Sequence, residues 1–155
     1  MNIADFLQQE KVKFEVIPHR DTYNAQSMAQ TLHVSGHHVA KTVLLRADGG
    51  KAFVVAVLPA SRSIDLQLAS QLLGGRRLEL ADENEVAEHC PDCELGALPP
   101  FGSYYGMMTI VDASLDDDEE ILFEGNTHHE SIRMLLHDFR QIEQPVIGHF
   151  TLLQF

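Results

Sequence analysis

Side chains able to do chemistry gather at a few places in this chain. Cys90 and Cys93 lie in CPDCELGALPPFG, histidine pairs stand at 37–38 and 128–129, and Lys41 heads the run KTVLLRA. A zinc site takes about four ligands, so the cysteines would have to recruit others, such as His89 and His128. Zinc deaminases carry H-x-E ahead of P-C-x-x-C. Here HHE at 128–130 follows the cysteines and the proline stands between them, so the order is wrong. A redox pair of the thioredoxin kind opens a helix after a strand. This pair instead runs into Gly96, Pro99, Pro100 and Gly102, where no helix can continue. Ordinary cysteines and no metal site are expected.

Neighbouring histidines on a strand point to opposite faces, so one member of each pair at most can face a given cleft. H-E-x-x-H, G-x-S-x-G and the phosphate-binding P-loop are all absent. Lys41 has two readings. It can be a strand-end lysine whose stem lies along apolar surface while its head reaches water, or a cation held in a cleft for a phosphate or carboxylate.

These residues sit in a chain of 155 residues that is 45% hydrophobic, enough for a single domain over 1–155 with a real core. No apolar run is long enough to span a membrane. MNIADFLQQEKVKF lacks the apolar stretch of a signal peptide, and two cysteines in this length suit a reducing compartment, so a cytoplasmic protein is expected. A formal charge of −12 excludes a broad nucleic-acid footprint. It leaves room for a small basic pocket, because Lys41, Arg46, Arg62, Arg76 and Arg77 all lie mid-chain.

The elements that must position these residues follow from periodicity. A short amphipathic helix is expected over 3–11, a strand over KFEVIPH ending at Pro18, and a second helix over 25–32. AKTVLLRADGGKAFVVAVLP reads as a hairpin, two β-branched runs around Asp48-Gly49-Gly50. Residues 64–73 read as a helix closed by Gly74-Gly75, RRLELA as a strand, and Asp82 with Glu85 as a capping box for a helix through Glu88. Strands are expected at MMTIVDA, ILFEG and ESIRMLL, with a last helical stretch at HDFRQIE. DDDEE at 116–120 lacks calcium-loop spacing and reads as a solvated turn. Hairpins mixed with helices predict an α+β fold with a mixed sheet.

Three segments in order, AKTVLL, GALPPFG and EGNTHHESIRM, together resemble the YbaK/ProX family of aminoacyl-tRNA deacylases, related to the editing domain of bacterial prolyl-tRNA synthetases. The resemblance runs over residues 20–140 or so and implies a barrel-like mixed sheet packed with helices. It places the family lysine on Lys41, with Thr42 beside it in substrate binding. The family G-x-x-x-P loop falls on residues 96–100, continuing through Phe101 and Gly102. Its histidine falls on His128, with Asn126 where glycine is usual; His129 is the alternative if the register follows Gly125.

The implied activity is hydrolysis of the ester of a mischarged small amino acid on tRNA, without a cofactor. Lys41, Gly96 and His128 would be catalytic, and Pro99, Pro100, Phe101, Gly102 and Thr42 would bind substrate. Alanine, cysteine, serine and threonine remain open as the amino acid. The acceptor end of an aminoacyl-tRNA is the expected partner, with an aminoacyl-tRNA synthetase as a further candidate. Water activation would fall to the ribose hydroxyl of the substrate. The competing reading is a non-catalytic module of the same fold that binds a nucleotide, a tRNA end or a protein.

Overall fold

The computed structural model describes residues 2–18, 39–117 and 119–153. The helix expected over 25–32 lies outside the described residues. Asn2 caps α1 (Ile3–Gln9) through a capping box with Asp5, which answers two of the N–H groups left open at a helix start. β1 (Phe14–Pro18) follows. The DGG signal closes an antiparallel hairpin of β2 (Ala40–Ala47) and β3 (Ala52–Pro59), through a 3-10 turn over Asp48–Gly50.

The next apolar stretch divides. Arg62–Ile64 forms β4, and Asp65 caps α2 (Leu66–Leu72) by accepting the N–H groups of Gln67 and Leu68 at 2.9 and 3.0 Å. Ile64 therefore belongs to a strand, because the Asp65 carboxylate fixes the helix start at Leu66. β5 (Leu78–Leu80) and α3 (Glu83–His89) follow, the latter with the expected Asp82–Glu85 capping box. Arg46 of β2 bridges Glu79 of β5 at 2.9 Å and Glu85 of α3 at 3.0 Å, tying both elements to the hairpin.

Beyond a long loop come β6 (Met108–Asp112), β7 (Glu120–Glu124), β8 (Glu130–Leu135) and α4 (Leu136–Glu143), then β9 (Val146–Gly148) and β10 (Thr151–Leu153). The main sheet runs β5-β2-β3-β6-β9. It is mixed, since β3–β6 and β6–β9 are parallel while the β2 pairings are antiparallel. A second sheet runs β1-β8-β7, and β4 pairs with β10. The α+β class holds. A barrel-like closure is not confirmed: among the described residues no sheet closes on itself. The main sheet ends on the three-residue strands β5 and β9, and among the described residues one parallel bridge, Val39 to Leu122, links the start of β2 to the second sheet.

Alternation along β2 builds two cores. Ala40 and Leu44 face one that also holds Ile3, Leu7, Phe123, Ile132, Phe139 and, from the long loop, Leu98 and Phe101. Leu45 and Ala47 face the other, with Leu58, Ile110, Ala69 of α2 and Phe150. Val54 through Leu58 of β3 are all buried, as expected of a central strand covered on both faces. No described helix is long and apolar enough to cross a membrane.

Candidate active site

The loop from Cys90 to Gly106 is held at several points, and each hold can be traced to a residue. At its centre Phe101 is fully buried and meets Phe6 of α1, Phe123 of β7 and Phe139 of α4 edge-on, with ring centroids at 5.7, 5.7 and 5.1 Å. Burial of such a ring is worth several kcal/mol; truncating it costs about 3–5 kcal/mol. Pro99, Pro100 and Gly102 are buried too, so these members of the expected substrate-binding set stand against the core. A Cβ at Gly102 would collide with Thr109 Oγ1 and with the carbonyl oxygens of Met107 and Met108, which leaves room only for glycine. Gly96, by contrast, is exposed and adopts φ +84°, a left-handed conformation that L residues avoid.

The turn after β7 grips the start of this loop. Asn126 takes φ +75°, which suits its type, and its carbonyl accepts the Glu94 N–H at 2.7 Å. Its side-chain oxygen accepts the Ile3 N–H at 2.9 Å, fixing the start of α1 to the same turn. His128 is buried at 8% exposure. Its backbone N–H donates to the Glu94 carboxylate at 3.2 Å, and its Nε2 lies 2.5 Å from the Leu95 carbonyl oxygen. Nδ1 on the far side of the ring lies 3.2 Å from Oε2 of Glu124, itself buried at 4% exposure. His129 is exposed. Of the two candidate histidines, His128 is the one brought to the loop.

Lys41 is the second residue of β2. The bridge pairs Val39 with Leu122 in parallel, and Lys41 and Glu124 each stand two residues beyond it. The start of β2 and the turn carrying His128 therefore lie at the same end of their strands. Lys41 is half-buried, and burial lowers the pKa of its ammonium. Arg46, Arg62, Arg76 and Arg77 each have a carboxylate within 4.0 Å. Lys41 has no ion pair or side-chain hydrogen bond among the described residues. Thr42 faces the core of Ala40 and Leu44, where its hydroxyl is buried without a hydrogen-bond partner among the described residues. Lys41 falls on the Val43 and Leu45 side.

Cys90 is fully buried at the end of α3, and the half-buried Cys93 donates its thiol to the Cys90 carbonyl at 3.2 Å. Both are free, and no three His, Cys, Asp or Glu side chains among the described residues converge to hold a metal ion. An open pocket of about 380 Å³ lies elsewhere, between Phe53, Arg76, His89 and Met108 near the hairpin turn, and none of the residues expected to be catalytic or to bind substrate lines it.

Sequence reasoning missed Glu124, the Leu95 carbonyl and Glu143, whose carboxylate accepts the Ser103 N–H at 3.0 Å beyond the prolines. Only Glu124 carried a signal, its spacing of four from His128 in EGNTH.

The family model for the aminoacyl-tRNA editing domain matches residues 19–142. A solved structure of a hypothetical protein superposes at a TM-score of 0.88 with 17% identity, over 97% of this chain and 99% of that one. A proposed trans-editing enzyme for prolyl tRNA synthetase superposes at 0.79 with 20% identity, over 90% of this chain and 87% of that one. A proposed signal transduction protein from Marinobacter aquaeolei VT8 gives 0.70 with 22% identity, over 94% of this chain but 30% of that one. At these identities the structures testify to the fold.

Proposed function

The chain belongs to the aminoacyl-tRNA editing domain family, and from that membership we propose that it is a hydrolase acting in trans, cleaving the ester of a mischarged small amino acid on tRNA. One observation carries the reading: Lys41 is a half-buried cation with no carboxylate partner among the described residues. Burying a charge without a partner is costly, so such a group is matched by a ligand of opposite sign. A phosphate at the acceptor end of tRNA supplies that charge. A protein of net charge −12 need grip no more of the tRNA than this end.

Ester hydrolysis puts negative charge on the carbonyl oxygen as water attacks. An N–H held in place before the reaction stabilises that charge, and losing one such donor costs about 10²–10³ in rate. The exposed Gly96 N–H is the donor in this reading, on a loop fixed by Phe101 and the buried prolines. Both ring nitrogens of His128 face protein acceptors, so the ribose hydroxyl of the substrate is left to assist the water. The reading takes the protein to be cytoplasmic, with a synthetase as a further partner.

A panel of tRNAs mischarged with alanine, cysteine, serine or threonine tests it. Turnover of at least one ester, lost in Lys41→Ala, is expected. The fold also occurs inside a longer chain assigned to signal transduction, which favours a binding module as the second reading. Binding of the tRNA end with every ester left intact would select that one.

A further inference from the structure

We infer that Glu124 and His128 act together as a positioning pair that turns the Leu95–Gly96 peptide so that the Gly96 N–H faces the substrate. The inference rests on the deacylase reading and adds to it a new residue, Glu124, and a role for His128 other than proton transfer.

The protons follow from the acceptors. A carbonyl oxygen can only accept, so His128 Nε2, 2.5 Å from the Leu95 oxygen, carries a proton and donates it. Nδ1 and Glu124 Oε2 stand 3.2 Å apart, both closed off from water. Two lone pairs facing each other there would repel, so a second proton lies between them. Charge shared across that contact strengthens the Nε2–H donor at the front of the ring. A nitrogen already donating to Leu95 cannot also take a proton from water.

The peptide geometry carries this to the substrate side. A trans peptide unit is planar, and its C=O and N–H point in opposite directions. With the Leu95 oxygen drawn inward to His128, the Gly96 N–H of the same unit is directed outward. Gly96 is exposed, and its N–H makes no hydrogen bond among the described residues. The peptide cannot easily swing, because the segments around it are stitched together. The Glu94 N–H donates to the Asn126 carbonyl at 2.7 Å, and the His128 N–H to the Glu94 carboxylate at 3.2 Å. His128 thus supports the backbone donor from behind, and Glu124 supports His128.

The test compares ¹⁵N-labelled wild type, His128→Ala, His128→Gln and Glu124→Gln by amide spectrum and by single-turnover deacylation of a panel ester. In His128→Ala the Gly96 amide resonance should move and the rate should fall about 10²-fold with KM unchanged, as for a misplaced reacting group. His128→Gln keeps a side-chain N–H donor and should restore both the resonance and most of the rate. Glu124→Gln should move the Gly96 resonance part of the way and slow turnover less, which serves as the test if His128→Ala does not fold. An unmoved Gly96 resonance in the folded variants overturns the inference, as does a folded His128→Gln no better than His128→Ala. Should the wild type cleave no ester while the Gly96 amide still moves, the deacylase reading falls and the positioning pair stands.

Discussion

Gly102 donates its N–H to Thr109 Oγ1 at 2.8 Å, closing the far end of the loop whose near end is held by His128. The Thr109 hydroxyl in turn donates to Glu143, which also accepts the Ser103 N–H. The loop is therefore pinned beyond its prolines by buried polar side chains from β6 and α4, and before them by His128 of the turn after β7. A catalytic backbone donor needs such a frame, since its value lies in not having to move when charge develops.

Glu143 gives this frame a pH signature. Burial raises its carboxyl pKa above the ordinary value of 4.5, outweighing the hydrogen bonds from Ser103 and Thr109. A folded-state pKa above the unfolded one means the native form holds more protons, so stability falls as pH rises from the unfolded pKa through the folded one. Glu143→Gln keeps an acceptor and has no charge to bury. Its melting temperature should match the wild type in acid below the unfolded pKa and exceed it increasingly as pH rises. A gap that stays constant from about pH 4 to 8 would show that Glu143 is not strained by burial.

Lys41→Ala should fold with a melting temperature equal to or above the wild type, because it removes a half-buried charge that is unpaired among the described residues. Its deacylation should be largely lost. Lys41→Arg should also be impaired, since a planar fork does not replace a compact ammonium. In the proposed reading the active form is the ammonium, and burial lowers its pKa. After subtraction of spontaneous hydrolysis, the alkaline fall in rate should therefore begin below the ordinary lysine value of 10.5. Wild-type rates in Lys41→Ala would remove Lys41 from the site.

The double variant Cys90→Ser, Cys93→Ser should retain activity, and a chelator should leave it unchanged. Cys93 donates its thiol to the Cys90 carbonyl, and among the described residues neither cysteine shares a hydrogen bond with Gly96. Stoichiometric zinc in purified protein, lost with activity in the double variant, would overturn this.

Long strands and capped helices were legible in the sequence because their signals are local. The DGG hairpin and the Asp82–Glu85 box fell where the residues placed them. Strands β4, β9 and β10 were not, since at three residues each they carry little periodicity and exist through their partners; β5, equally short, was legible only within the longer run RRLELA. The loop was legible as rigid, but not the reason. Phe101 anchors it through rings contributed by α1, β7 and α4, a tertiary fact. Lys41 and His128 were singled out through ordered motifs. Glu124 touches the loop only by way of His128 in the proposed pair, and the Leu95 oxygen is backbone, which no residue type reveals.

Gly96→Ala separates loop strain from catalysis when read beside a control. Gly96 sits at φ +84°, so a Cβ there costs about 1–2 kcal/mol whatever the substrate does. A fall in both stability and activity would thus say little alone. Gly75, at φ +90° after α2 with open space around it, should pay a similar strain in Gly75→Ala. The two variants should lose comparable stability, seen as similar drops in melting temperature. Gly75→Ala should deacylate at the wild-type rate at a temperature where it is folded. Gly96→Ala should be slower by about 10²–10³, the cost of one lost oxyanion donor, with tRNA binding retained. Equal rates in the two folded variants would show that the Gly96 N–H takes no part in the reaction and that its glycine serves the turn alone.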